Sequence, residues 1–315
     1  MRAVVVTEYG ATARMVDLPV PEVHAGQVLI RVSAAGMNPM DRALADGAWQ
    51  SIMPAIFPMV LGVDVAGTVE DVGEDTNGFA VGDAVMGQLL IPPLGSSGTY
   101  AEFVAVSARS TLARIPTGMG AVVAASAPTA GMTGLAIVDA IAPLEGKTVL
   151  IVGAAGGVGS FATQFAANAG AHVVANARTG NASRMRAYGA AETIDHTLGP
   201  LPEVVARAHP DGIDVLVDLA NDAVEFARLA GLVRKDGIAL TTRYVADADG
   251  LAAAGVSGMN FQVPASAELL ERVASALATD SIVPPPINRI SLDQALAALA
   301  GENSSLVDGK TVIVV

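Results

Sequence analysis

Residues 148–178 read TVLIVGAAGGVGSFATQFAANAGAHVVANAR, and the order of residue types in this stretch decides the fold. An apolar, β-branched run at 148–152 breaks into a small-residue loop, 153–159. A segment with helical apolar periodicity follows, and then a second short strand at 172–175. Strand, glycine loop, helix and second strand at these distances make the opening of a dinucleotide-binding unit. The loop has the form A-x-G-x-x-G, through Ala154, Gly156 and Gly159, with Gly157 and Val158 between them. A tight turn at Ala154 and Gly156 lets backbone N–H groups approach a pyrophosphate. Gly159 lets the helix pack closely on the strand, and the positive end of the helix dipole faces the phosphates. Glycine clusters also mark plain turns; here the flanking elements favour cofactor binding.

Outward from this unit, residues 120–265 alternate helix-length, Ala-rich segments with short apolar runs at 148–152, 172–175, 192–194, 214–218 and 237–241, and a sixth near 261–264. Such alternation predicts a doubly wound parallel sheet with helices on both faces, its strands buried on both sides. Residues 1–120 read differently. Apolar or alternating runs at 3–7, 28–33, 63–72, 84–88 and 100–106 are separated by Gly, Pro and Asp, which predicts a β-rich, partly open barrel. Helices are expected at 268–277 and 292–300, and an apolar strand at 311–315 that needs an edge to pair with. The N-terminal β region can host it. The expected domains are therefore 1–120 with 266–315, and an inserted α/β domain at 121–265.

Composition narrows the function. With 315 residues and 33 glycines, the chain is long for one core and suited to close helix packing. A net charge of −13 argues against a nucleic-acid partner, which needs a basic face. The absence of cysteine removes disulfides, thiolate nucleophiles and Cys-based zinc sites. The four histidines, His24, His172, His196 and His209, show no metal-ligand spacing. Residues 121–138 carry no charge, but Pro128 and Gly131 in their middle point to a buried, broken helix rather than a membrane span. The first residues lack the build of a signal peptide, so a cytoplasmic location is expected.

These pieces resemble the medium-chain dehydrogenase/reductase superfamily, specifically its zinc-free quinone oxidoreductase branch. The anchors are Gly36-Met37-Asn38-Pro39-Met40-Asp41, Leu61-Gly62-Val63-Asp64-Val65-Ala66-Gly67, Val81-Gly82-Asp83, Gly98-Thr99-Tyr100-Ala101-Glu102-Phe103, Gly131-Met132-Thr133 and the glycine loop. The resemblance implies a Rossmann domain inserted in a GroES-like catalytic domain. The zinc-dependent branch has a Cys where Asn38 stands and a G-H-E motif where this chain has Gly62-Val63-Asp64. Without the thiolate and the imidazole, no catalytic metal is expected.

Cofactor choice follows from the end of the second strand. NAD sites place an acid there, to bond the ribose hydroxyls. This chain has Asn176 and Arg178, and Arg178 can pair with a 2′-phosphate, with Arg184 or Arg186 as a second partner. NADPH is therefore expected over NADH. Ala220 and Thr241 end the fourth and fifth strands, where the ligand crevice of such a sheet lies. The resemblance puts Asn38 near the nicotinamide ribose, in a cleft that also holds substrate, and lets Thr133 bond the carboxamide or a phosphate. Asn38-Pro39 also reads as a turn, and Thr133 as a helix-interior threonine. Asp41 and Asp64 are expected to hold loops or cap; the Tyr100 phenol could donate a proton, but its place at a strand entry favours core packing or edge pairing. Trp49, Ile52, Met53, Ile56, Phe57 and Met59 either wall a substrate pocket or pack a loop.

The expected activity is a zinc-independent, NADPH-dependent reduction of quinones, enones or enals by a homodimer, with Asn38 as the catalytic candidate. Hydride transfer of this kind needs orientation and water exclusion more than a metal. The alternatives are an enoyl-thioester reductase and a non-catalytic NADPH-binding protein.

Overall fold

The computed structural model describes residues 1–302 and 308–315; residues 303–307 of the expected C-terminal segment lie outside the described residues. The chain divides into two units, Met1–Met132 with Ala265–Val315, and Thr133–Pro264. The first division falls inside a helix, some twelve residues beyond the 120/121 boundary read from composition, because the short helix at 121–126 packs on strands of the first unit.

The first unit opens with β1 (Arg2–Val6), β2 (Arg14–Asp17), β3 (Gln27–Gly36), α1 (Pro39–Ala45), β4 (Met59–Val60), β5 (Asp64–Val72), β6 (Ala84–Gln88), β7 (Phe103–Ser107), β8 (Thr111–Arg114) and α2 (Ala121–Ser126). Then α3 (Pro128–Ile141) begins on a proline whose missing N–H costs nothing at a helix start. This is the expected break near Pro128. The second unit holds β9 (Thr148–Val152), α4 (Gly157–Asn168), β10 (His172–Asn176), α5 (Ala182–Ala187), β11 (Glu192–Ile194), α6 (Leu201–Ala208), β12 (Ile213–Asp218), α7 (Ala223–Ala230), β13 (Val233–Thr241), α8 (Ala248–Ala253) and β14 (Ser257–Asn260). The chain returns to the first unit through α9 (Ala267–Ala278), β15 (Ile287–Ser291), α10 (Ala295–Leu299) and β16 (Lys310–Val314).

In the second unit all six strands are parallel, in the order β11-β10-β9-β12-β13-β14. The order reverses between β9 and β12, the switch point at which such sheets take ligands. Val149, Ile151, Val173, Ala175, Val215 and Val217 face one helical layer, and Leu150, Val152, Val174 and Leu216 the other. The sixth strand lies at 257–260, not at 261–264. Ser257, Gly258 and Asn260 have little β propensity, and the backbone ladder with β13 makes the strand.

The first unit has a seven-stranded sheet and a three-stranded one, β2-β1-β4. β3 is the hub, pairing with β5, β7 and β16. β16 finds its edge there, through Val312↔Gly36, Ile313↔Ala35 and Val314↔Ala34. Their inner faces meet in one core that includes Val4, Ile30, Val65, Tyr100, Leu112 and Ile313. Among the described residues no helix is long and apolar enough to cross a membrane.

At Gly36, where β3 ends, a Cβ would sit 2.2 Å from the Ala125 carbonyl oxygen of α2. That oxygen is backbone and cannot turn away. Gly36→Ala is expected to lower the thermal midpoint by about 5 °C, roughly the cost of one overpacked methyl group. Gly120→Ala, with nothing within 4 Å and no left-handed φ, costs only an N-cap preference and should shift it by no more than about 2 °C. Calorimetry of the two variants checks this.

Candidate active site

The parallel register of the second unit aligns Ile194, Asn176, Val152, Asp218, Thr241 and Asn260 in one row along the sheet's C-terminal edge. Every loop that leaves this row leaves on the same side. Gly153, next after Val152, takes φ +79°, which turns the chain sharply out of the strand. A Cβ on Gly159 would lie 2.2 Å from the Gly153 carbonyl oxygen, so only glycine lets α4 start this close to β9. A Cβ on Gly153 would lie 3.6 Å from Cβ of Ala220, which brings the loop after β12 beside the glycine loop. Gly156 is the N-cap of α4, and Gly157 and Val158 open its first turn. The 12-residue helix thus points its free N–H groups and positive dipole end into this small-residue hollow, and the residues present fit a dinucleotide pyrophosphate.

The end of β10 carries the remaining cofactor candidates. Asn176 is buried, and its Nδ2 donates to the Ile194 carbonyl at 3.1 Å and lies 3.3 Å from Nδ1 of His196. Arg178 is exposed. The loop behind it is pinned by Asp195, whose carboxylate accepts from the N–H and hydroxyl of both Thr179 and Thr197. Those hydrogen bonds hold Asp195 well below the usual carboxylate range. Arg184 donates to the Ala155 carbonyl of the glycine loop at 3.3 Å and to Asn181 at 2.7 Å, with its guanidinium 5.9 Å from the ring centre of Tyr188. Arg186 is exposed, 3.5 Å from the Thr193 hydroxyl. On the other side of the switch point, fully buried Asp218 accepts from the N–H groups of Ala220 and Asn221 and from the Asn221 amide. The buried Thr241 hydroxyl accepts from the N–H of Arg243. Thr133 lies buried in α3.

In the first unit, chain-distant residues converge on a second polar cluster. Asn38 is the N-cap of α1, and its N–H donates to Asp41 Oδ2 at 2.6 Å. Its side-chain Nδ2 donates to Asp64 Oδ2 at 3.0 Å and more weakly to the Gly36 carbonyl at 3.4 Å. Its Oδ1 accepts from the Lys310 ammonium, which also donates to Asp64 Oδ2 at 3.3 Å. The other Asp64 oxygen accepts from the N–H and hydroxyl of Thr129, at 3.1 and 2.6 Å, and Gln88 donates to that hydroxyl at 2.7 Å. Asp64 is fully buried and Lys310 nearly so, which makes this an ion pair with saturated partners. Tyr100 is fully buried and donates to Asp41 Oδ2 at 2.6 Å. Burial, and then the neighbouring Asp41 and Asp64 charges, push its phenol well above the ordinary range. A phenol so placed belongs to the core.

Asp41 caps the helix that Asn38 begins, and its Oδ1 is buried with no hydrogen-bond partner among the described residues. It lines a cavity of about 20 Å³ together with Leu44, Met59, Leu61 and Leu94. Met59 is thus core rather than loop surface, whereas Ile52, Ile56 and Phe57 are exposed. Burial raises the Asp41 carboxyl to about 7, against the opposing hydrogen bonds from Tyr100 and Asn38. An unfolded Asp titrates near ~3.9. Between these values the folded protein holds one more proton than the unfolded chain. Stability therefore falls as pH rises through that window and levels off above about 7. In Asp41→Asn the side-chain carbonyl still accepts from Tyr100 and Asn38, but nothing there titrates. The variant should gain on the parent by about 1.4 kcal/mol per pH unit between about pH 5 and 7, measured by denaturant unfolding at several pH values.

Lys310 and Asp218 were not among the site candidates read from sequence. Lys310 offers only a lysine at the start of a terminal strand. Its partner, Asp64, lies 246 residues away, beyond any local pattern. Glu192 also meets both His172 (2.6 Å) and His209 (3.4 Å), but His172 opens β10, at the opposite edge of the sheet from the row above. Among the described residues no group of three or more His, Asp or Glu could hold a metal ion.

Comparison with known proteins agrees with this architecture. The family model of the alcohol dehydrogenase GroES-like domain matches residues 24–117. The chain is 34% identical over 232 residues to a chloroplast envelope quinone oxidoreductase homolog of Arabidopsis thaliana, a match that covers 70% of this chain and about two thirds (68%) of that protein. Among solved structures, the quinone oxidoreductase of Coxiella burnetii superposes with a TM-score of 0.87 at 26% identity, over 100% of this chain and 99% of that one. The mycobacterial protein Rv1454c, solved in complex with NADPH, superposes with a TM-score of 0.83 at 27% identity, over 100% of both chains. With its glycine-loop unit and its GroES-like unit, this chain belongs to the medium-chain dehydrogenase/reductase superfamily, among the relatives of the quinone oxidoreductases.

Proposed function

We propose that this protein is a cytosolic, homodimeric, zinc-independent reductase that uses NADPH to reduce quinones or other activated alkenes and carbonyls. The observation that carries the reading is the rim of the second unit. A glycine loop opens a helix there, and the neighbouring strand ends in Asn176 and exposed Arg178 where an NAD site would carry an acid. The likeness to a structure in complex with NADPH supports the same cofactor.

Bound at this rim, NADPH supplies a hydride. The α4 N-terminus and the loop from Ala154 to Gly159 hold the pyrophosphate, and Ala220 and Thr241 line the crevice beside them. Arg178 meets the 2′-phosphate as a charge-assisted partner. Arg184 acts differently, since its guanidinium already braces the Ala155 carbonyl and Asn181. Thr133, buried in α3, is the contact for the reacting end. Zinc independence is supported by the chemistry of the donor set. The Asn38 and Asp64 oxygens, the hard donors a metal would need, are engaged by the Lys310 ammonium, whose charge would repel a second cation.

The test is NADPH oxidation followed with a panel of quinones, enones, enals and enoyl thioesters, corrected for the uncatalysed reaction. Turnover of quinones that survives exhaustive chelation is the expected result. NADPH binding without turnover of any panel member would defeat the enzyme reading. Arg178→Ala is expected to raise the KM for NADPH about tenfold, the loss of one exposed charged contact, and to leave that for NADH unchanged. Arg184→Ala should weaken both cofactors alike, because it loosens the loop that both would share. Sedimentation of the purified protein checks the dimer.

A further inference from the structure

The cavity of about 20 Å³ against α1 has walls that belong entirely to the first unit. One water needs roughly 10–15 Å³ of such space and at least two polar partners. Asp41 supplies the first. It is 1% exposed, it lines the cavity, and its Oδ1 is buried with no hydrogen-bond partner among the described residues. Ser97, 6% exposed, lines the same space, and a serine hydroxyl both donates and accepts. Gly62, Gly95 and Gly98 leave the rest of the polar wall as bare backbone. At Gly98 a Cβ would lie 2.1 Å from the Val60 carbonyl oxygen, so no side chain fits there. The remaining walls are apolar, and a small polar molecule inside has only these groups to bond.

We propose that this cavity binds one water molecule, which bridges Asp41 Oδ1 and the Ser97 hydroxyl, and that Asp41 meets it as an O–H donor. The hydrogen bonds at the other carboxyl oxygen fix this polarity. Asp41 Oδ2 accepts from the Tyr100 hydroxyl and from the Asn38 N–H, each at 2.6 Å, which fills its two lone pairs. A proton held by the carboxyl therefore sits on Oδ1, the oxygen left for the cavity. Burial favours holding that proton, with the carboxyl raised to about 7, and the Asp64 charge on β5 acts in the same direction. The hydrogen bonds from Tyr100 and Asn38 and the Lys310 ammonium on β16 oppose it. The water accepts the Asp41 O–H and donates to Ser97. When Asp41 ionises, the same water turns and donates to Oδ1, so the site keeps its ligand in both charge states. Cavity and carboxyl form one internal site for a water and a proton, independent of any cofactor or substrate.

A crystal structure of the protein with its ordered solvent tests the site. Density for one water within hydrogen-bond distance of Asp41 Oδ1 and Ser97 Oγ is the expected result. A cavity without density, or a direct bond from Oδ1 to a protein donor, would overturn the proposal. In solution, magnetic relaxation dispersion of the water oxygen counts long-lived internal waters. Ser97→Val, which removes the hydroxyl and fills the space, should show one fewer than the parent. Asp41→Asn should show as many as the parent, since its amide NH₂ faces the cavity and donates in place of the acid. If Ser97→Val does not fold, Ser97→Ala removes the acceptor alone and is read in its place, with the same loss expected. Equal counts in the parent and the serine variant, or a water lost in Asp41→Asn, would count against the site.

Infrared difference spectra test the donor. At about pH 5 the parent should show a carboxylic C=O band that Asp41→Asn lacks, because the neutral acid is then the main form of Asp41. Above about pH 8 that band should disappear from the parent, while the count of long-lived waters stays the same. Spectra of the parent and Asp41→Asn that match at the lower pH would mean that Asp41 meets the water as a carboxylate, and would overturn its part as donor. A water lost as the band disappears would show that the site needs the proton, and would overturn the claim that it keeps its ligand in both charge states.

Discussion

A lysine ammonium buried against a buried carboxylate is the interaction on which the first unit depends. Lys310 and Asp64 are 4% and 0% exposed at the side chain, a setting in which removing one partner leaves a costly buried charge. Together they tie the start of β16 to the start of β5, and through Asn38 and Thr129 to the first turns of α1 and α3. Four chain segments are thus brought to one point by charge pairing and hydrogen bonds. The apolar packing of the barrel does the rest, but it is not directional. Register between β16 and β3 comes from the ladder, which begins at Val312↔Gly36, two residues beyond Lys310.

The second unit is built on a different constraint. Parallel strands put all their C-terminal ends on one edge, and the reversal of order between β9 and β12 opens a gap there. Small residues fill the space next to that gap. Gly153, Gly156 and Gly159 let α4 come close, and Ala220 keeps the neighbouring loop slim. Asp218 and Asp195 serve as local scaffolds, each drawing backbone N–H groups into a fixed turn on one side of the sheet. The two units therefore hold their polar side chains for unlike reasons: one to satisfy a buried charge, the other to shape loops at an open rim.

How much of this the sequence discloses depends on the range of the forces involved. The glycine loop and the parallel strands were legible because a buried strand shows as an apolar run and a close helix–strand approach shows as glycine. β2, β8 and β15 leave no such signal. Each is four or five residues long and only partly buried, and Asn288 and Arg289 interrupt any apolar pattern in β15. β14 was displaced because Phe261 and Val263 carry the apolar signal, while Ser257 to Asn260 make the ladder. In the first unit's polar cluster, Asn38 could be named from a motif and a resemblance, and Asp41 as a cap from its place three residues on. Lys310 could not be named, since a buried lysine looks in sequence like any other lysine until its counter-charge is placed beside it.

The distance along the chain between Asp64 and Lys310 also sets an order of events during synthesis. At about 5–20 residues per second, a separation of 246 positions takes roughly 10–50 s to make. For that time β5 carries a carboxylate without its partner, and β3 lacks one of its neighbours. The second unit, whose residues are contiguous in sequence, is complete before Lys310 exists. The nascent chain thus holds a finished α/β unit beside an unfinished barrel. The first unit closes around its ion pair only after that interval, which makes the barrel the part of the newborn protein most in need of protection.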